Sequence, residues 1–227
     1  MYGETERSIF PRLVLAAGNF LAVLVAFWLY FLGGIEIVSG ILGLDWVVGE
    51  LNRRIILFSC SSVYFLRVLS TGFILLRRKM DFGEVAIIVV WVTIINILFA
   101  MLCGTSDKPL GMLDLIGGFL YIGGSVLNSG SEAARKFWKD DPANKGRLYT
   151  GGLFRYSMHI NYFGDFVLFT GFALLTASIY SLIVPLVMFL LFTTVNIPML
   201  DAYLAKKYGD EFEEYRTKTK KFVPFVY

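Results

Sequence analysis

A polytopic bundle of membrane-crossing α-helices follows from three features of the chain. Hydrophobic residues make up 56% of the 227 positions and charged residues 17%, whereas water-soluble domains carry about one quarter charged residues. Six apolar runs approach the ~20 residues a spanning helix needs. They cover 13–31, 55–76, 85–103, 110–128, 162–178 and 180–200. The cations also gather between alternate runs. The 21 Phe, 12 Tyr and 4 Trp exclude a disordered chain. A net charge of +3 makes no case for nucleic acid. Backbone groups in lipid must be satisfied within their own segment, and the alternation of a barrel is absent, so all-α is the expected class.

Each element has its own signature. The run 13–31 is longer than a signal-peptide core and no small-residue cleavage site follows it, so it is expected to be retained. The stretch 33–49 is apolar but Gly-rich and carries Glu36 and Asp45, which predicts a loop or an interfacial half-helix. The run 110–128 holds Gly111, Gly117, Gly118, Gly123 and Gly124. No strand precedes them and the spacing is not a dinucleotide fingerprint, so close helix approach is their expected role. The run 162–178 is short and is followed at once by 180–200, which predicts a tight helical hairpin. Leu200, Leu204, Tyr208, Phe212 and Tyr215 then recur every three or four residues. They predict one amphipathic helix over 200–215, packed over the loop before His159. The whole reads as one membrane domain, 1–227, with a four-span part over 1–128 and a C-terminal part over 129–227.

Sidedness follows from the cations. With the N-terminus in the cytoplasm, 17 of the 21 Lys and Arg are cytoplasmic, among them Arg7, Arg12 and the Arg77-Arg78-Lys79 run. Arg53, Arg54 and Lys108 are opposite, and Arg67 lies within a span. Both termini are therefore expected in the cytoplasm. Cys60 and Cys103 sit inside apolar runs and read as small buried hydrophobes, with no disulfide framework and no metal site.

Ionisable groups within a membrane are costly and mark candidate sites. Three stand out: Arg67, Asp114 and Asp165. An Arg67–Asp114 ion pair and a polar cavity that takes part in substrate binding are both open readings of the first two. The densest polar regions, 129–165 and 201–227, hold 12 of the cations and the single histidine, His159. Arg155, Tyr156, His159, Asn161, Tyr162 and Asp165 crowd the entrance to a span. Lipid contact needs only cations, whereas a phosphate- or carboxylate-bearing cofactor needs directional donors as well.

The run Gly151-Gly-Leu-Phe-Arg-Tyr-Ser-Met-His-Ile-Asn-Tyr-Phe-Gly-Asp165 is similar to the signature G-L-W-R-Y-S-R-H-P-N-Y-F-G-[DE]. Upstream, Arg135-Lys-Phe-Trp-Lys-Asp-Asp-Pro-Ala-Asn144 resembles K-x-x-F-[KR]-x-[DN]-P-x-N. Downstream, Asp201, Tyr208, Tyr215 and the Phe222-Val-Pro run match an ordered set of acid, aromatic and F-[IV]-P positions. Together, over about the last 100 residues, these resemble the superfamily with a steroid 5-alpha-reductase-like C-terminal domain. It includes sterol delta-14 and delta-7 reductases, isoprenylcysteine carboxyl methyltransferases and phospholipid methyltransferases.

The resemblance implies a cofactor entering from the cytoplasm and a lipidic substrate arriving from the bilayer. It places Arg155, His159, Asn161, Tyr162, Asp201, Tyr208 and Tyr215 around the cofactor, with Arg135, Lys145 and Arg147 as nearby cations. Met158 stands where the signature has Arg, and Ile160 where it has Pro, so one bidentate phosphate donor is replaced. The first function implied is reduction of a carbon–carbon double bond in a sterol-like or isoprenoid-like lipid with NADPH. Tyr162, Asp165 and Asp114 are its candidate catalytic residues, and Tyr121 a further polar candidate. The alternative is methyl transfer from S-adenosylmethionine to a prenylated or phospholipid substrate; a third is a non-catalytic membrane scaffold. His159 is expected to donate to a cofactor phosphate or carboxylate rather than bind metal, since no second His is present. In a eukaryote the endoplasmic reticulum is the expected membrane. Cysteine-accessibility labelling is expected to find both termini on the cytoplasmic face; termini on opposite faces would remove the topology.

Overall fold

The computed structural model describes residues 8–46, 48–76, 78–104, 106 and 108–227. Arg7 and Arg77, two of the cations counted above, lie outside the described residues. Nine α-helices are present among the described residues, and no strand. They are α1 (Ile9–Phe31), α2 (Gly34–Leu42), α3 (Leu51–Ser70), α4 (Phe82–Gly104), α5 (Met112–Asp140), α6 (Ile160–Leu175), α7 (Ile183–Leu191), α8 (Ile197–Tyr208) and α9 (Asp210–Lys218). Single π-helical turns, Thr71–Leu75 and Phe192–Asn196, extend α3 and join α7 to α8. Five helical stretches are long and apolar enough to cross a membrane: Ile9–Phe31, Leu51–Leu75, Phe82–Cys103, Met112–Asp140 and Ile179–Tyr208. The chain is an all-helical integral membrane protein. The remaining apolar run forms α6, whose 16 residues fall short of a full span. The Gly-rich stretch after α1 is helical over nine residues and ends at Gly43.

The chain forms two compact units. The first contains Met1–Gly118 and Gly171–Val184. Here α1 packs chiefly on α4 and α3. Phe20 meets Phe65 and Phe27 meets Phe58, which orders α1 and α3 antiparallel. Several buried polar groups find partners within this apolar unit, where no water competes. Ser61 Oγ donates to Asn96 Oδ1 at 2.6 Å. The buried Arg12 guanidinium donates to the carbonyls of Gly72, Leu76 and Arg78 at the end of the second span.

Asp114 is paired with Arg53, not with Arg67. Arg53 stands in the first turn of α3, at the end that meets Asp114, whereas Arg67 is 14 residues and about 21 Å further along the helix. The Arg53 guanidinium is 1% exposed. It also donates to Leu175 O at 2.7 Å and to the carbonyls of Lys108 and Pro109. Asp114 Oδ2 accepts from Arg53 at 3.1 Å and from the Gly111 amide at 2.7 Å. Arg67 instead lies over the Tyr64 ring.

The second unit contains Phe119–Thr170 and Pro185–Tyr227. Its base is a close crossing of α5 and α6. A Cβ on Gly124 would come within 2.3 Å of Leu168 N, and one on Gly164 within 2.5 Å of Asn128 N. The glycines therefore serve the backbone contact that small residues permit in membranes. The amphipathic helix expected over 200–215 is instead two helices, α8 and α9. They part at Gly209, whose φ of +54° any other residue would adopt only at a cost. The expected apolar face survives the break: Leu204, Tyr208, Phe212 and Tyr215 pack with Met158 and Leu148, against the loop before His159.

Gly164→Ala is expected to destabilise the protein by about 1–3 kcal/mol through overpacking against backbone. Gly123→Ala, where a Cβ meets open space, is expected to be neutral or to stabilise by up to about 1 kcal/mol. Thermal unfolding of the two variants in detergent checks the contrast.

Candidate functional site

The signature segment enters α6 through a loop that the chain's last residues hold from outside. The amides of Met158 and His159 donate to Lys220 O (2.8 Å) and Lys221 O (3.2 Å). Ser157 Oγ donates to Phe222 O at 2.7 Å. Phe222 is fully buried and touches the rings of Phe163, Phe166, Phe189 and Phe192. One tail residue thus pins the loop by its carbonyl and fills the helix packing with its ring.

Behind this strap lies a buried stack. His159 is 1% exposed, and its Nε2 lies 2.8 Å from Asp201 Oδ1 on α8. Its ring stacks on Tyr162, centroids 5.7 Å apart, and Tyr162 stacks on Phe192 at 4.9 Å. Lys221 Nζ stands 3.9 Å from the other Asp201 oxygen. Asp165 is half-buried one turn beyond Tyr162 on α6.

A cleft of about 330 Å³ opens elsewhere in the same unit, lined by Arg147, Thr150, Arg155, Glu211, Glu214, Tyr215, Lys218 and Thr219. Its charges are unevenly engaged. Glu211 accepts the Leu148 amide and faces Arg147 at 3.9 Å. The Lys218 ammonium holds the exposed Glu214 carboxyl below its ordinary range. Arg155 is exposed and has no acidic partner among the described residues. Tyr215 donates to Phe154 O at 2.6 Å. Burial pushes its phenol up from the usual range, against the pull of Arg135.

Of the expected cofactor residues, then, Arg147, Arg155 and Tyr215 share the cleft, and His159, Tyr162 and Asp201 form the stack. Asn161 and Arg135 meet through Glu132, to which Asn161 donates at 2.8 Å and Arg135 is ion-paired. Arg135 also lies over the Phe154 ring. Tyr208 accepts from Lys139 at 3.1 Å. Lys145 is exposed on the turn after Pro142–Asn144. Asp114 belongs to the first unit, bound to Arg53. Met158, in the signature's arginine position, is buried against Phe212 and Tyr215.

A family model described as "Protein of unknown function (DUF1295)" matches residues 72–219. The chain belongs to the DUF1295 family. This is a steroid 5-alpha-reductase-like family, in agreement with the resemblance drawn from the signature. Two curated proteins are similar to parts of the chain. A probable O-methyltransferase, ustE, of Ustilaginoidea virens is 34% identical over 92 residues, 40% of this chain and 32% of that protein. The 3-oxo-5-alpha-steroid 4-dehydrogenase 1 of Rattus norvegicus is 31% identical over 112 residues, 49% of this chain and 41% of that protein. The matches thus span about a third and two fifths of the length of these relatives.

Several groups of this DUF1295 protein's site escaped the sequence reading. Lys218, Thr150 and Thr219 line the cleft, Glu132 holds Asn161, and Phe192 closes the stack. The polar ones lie outside the signature or among many similar charges, and only the fold separates them. Phe222→Ala is expected to cost about 3–5 kcal/mol, the usual loss for an aromatic removed from a core. Phe225→Ala, at a ring 76% exposed, is expected to change stability by less than about 0.5 kcal/mol. Melting curves of the two variants in detergent check this.

Proposed function

We propose that this protein is an NADPH-dependent membrane oxidoreductase that reduces a carbon–carbon double bond of a sterol-like or isoprenoid-like lipid. The observation that carries the reading is Arg155: a guanidinium at an open cleft, without an acidic partner among the described residues, beside Arg147, Lys218 and two threonine hydroxyls. Guanidinium, ammonium and hydroxyl donors of this kind suit the phosphates of a dinucleotide. The similarity to a rat steroid dehydrogenase over 112 residues supports the same class.

On this reading Arg147, Arg155 and Lys218 hold phosphate, with Thr150 and Thr219 as neutral donors. NADPH, when bound, supplies the hydride. Reduction of a double bond also takes a proton at the second carbon, and the chain offers Tyr162 and Asp165 on one face of α6. The Tyr162 ring is fixed between His159 and Phe192. Asp114 we assign a structural role, because both its oxygens are engaged by Arg53 and one also by the Gly111 amide. Arg135, paired with Glu132, is a support rather than a phosphate ligand, and Lys145 remains a peripheral cation. On this reading the cleft faces the cytoplasm, as the cation asymmetry supports, and the lipid substrate arrives from the bilayer.

One observation favours a second reading, methyl transfer from S-adenosylmethionine. The buried Met158 offers no donor where the signature has arginine. That cofactor carries a single carboxylate and needs fewer cations. The probable O-methyltransferase relative points the same way.

Titration of the detergent-solubilised protein with each cofactor separates these readings. NADPH is expected to bind, with affinity that falls as salt rises. Arg155→Ala is expected to weaken it by about 1–3 kcal/mol, the loss of a charge-assisted hydrogen bond. Binding of S-adenosylmethionine alone would transfer the protein to the methyltransferases, and binding of neither would leave the scaffold.

A further inference from the structure

His159 is the single histidine of the chain, and its surroundings fix more than its position. An ionised carboxylate only accepts hydrogen bonds, so Asp201, 2.8 Å from Nε2, requires the ring proton on that nitrogen. The Asp201 charge already has a counterpart in the Lys221 ammonium, 3.9 Å from its second oxygen. The ring itself is 1% exposed. The plane of the ring is set by Tyr162, stacked within 10° of parallel. The backbone is set by the His159 amide on Lys221 O. Nδ1 has no hydrogen-bond partner among the described residues.

We propose that Asp201 is a positioning residue that holds His159 as the neutral Nε2–H tautomer, so that the ring meets a ligand only through Nδ1, as an acceptor. The group it takes is then a donor: a hydroxyl, an amide N–H or an ammonium. This differs from the phosphate or carboxylate expected from the sequence. Anion recognition falls instead to the cleft around Arg155, and His159 reads a neutral or cationic portion of the same cofactor. The ligand part of the proposal rests on the cofactor-binding function proposed above; the tautomer part does not.

Because the chain has one histidine, a protein labelled with 15N-histidine gives one ring spin system. At neutral pH in detergent, the expected spectrum shows a protonated Nε2 and an unprotonated Nδ1. A protonated Nδ1, an imidazolium or an exchanging mixture of tautomers would overturn the proposal without any variant. Asp201→Leu is expected to release the ring into a tautomer mixture, and Asp201→Glu to keep the Nε2–H form; a loss of packing alone would not produce that difference. A cofactor that binds is expected to shift the Nδ1 resonance and leave Nε2–H in place, and its affinity to fall about tenfold in Asp201→Leu. A bound cofactor that leaves Nδ1 unmoved would overturn the ligand assignment. If neither NADPH nor S-adenosylmethionine binds while the Nε2–H form is observed, the cofactor reading and the ligand assignment fall and the positioning role stands.

Discussion

The loop before α6 has only the short 3-10 turn Gly152–Arg155 as regular structure, yet it carries the one histidine and leads straight into a helix. Two amides in that loop, on Met158 and His159, find their acceptors on Lys220 and Lys221. Buried amides without partners cost free energy comparable to a lost hydrogen bond, so the loop's conformation depends on the tail being in place. Everything else in the second unit is arranged around that dependence. Phe222 anchors the strap among four rings, Asp201 reaches the histidine it presents, and the α8–α9 turn covers its outer side.

The same unit maintains two unlike electrostatic environments. In the stack, acid, base and aromatic rings satisfy one another around a buried His159, where an unpartnered charge is costly. In the cleft, cations and acids lie in contact with water, where each ion pair contributes little. Arg155 keeps its charge available there because no carboxylate among the described residues pairs with it. A ligand with both a charged and a neutral polar portion matches this division. Arg53 in the first unit shows the opposite use of a guanidinium, closed off by a carboxylate and three carbonyls. Removing one member of such a buried pair typically costs about 3–5 kcal/mol.

Hydropathy made the spans legible, because a helix that crosses lipid must be apolar along its whole length. It was less informative for α6, whose first two turns carry Asn161, Tyr162 and Asp165 and whose glycine-mediated contacts come from packing. Pairing was the least legible. The sequence reading pairs Asp114 with Arg67 alone, and depth along α3 is what chooses Arg53 instead. The His159–Asp201 pair joins residues 42 apart. Each was visible as a polar position, but their meeting is a property of the fold. The apolar face from Leu204 to Tyr215 was plain from its spacing, whereas the break within it needs the backbone at Gly209. That glycine is the residue that turns the chain.

The strap also imposes an order of events on biosynthesis. Ser157 and Phe222 are 65 residues apart, so at ~5–20 residues per second the loop emerges on the order of 3–13 seconds before its partner exists. Throughout that interval the amides of Met158 and His159 lack their acceptors, and four phenylalanines surround an unfilled space. Ribosome stalling or frameshifting shortly before residue 220 would therefore yield a chain with every spanning helix inserted and its site unassembled. Quality control could recognise such a chain only by that gap.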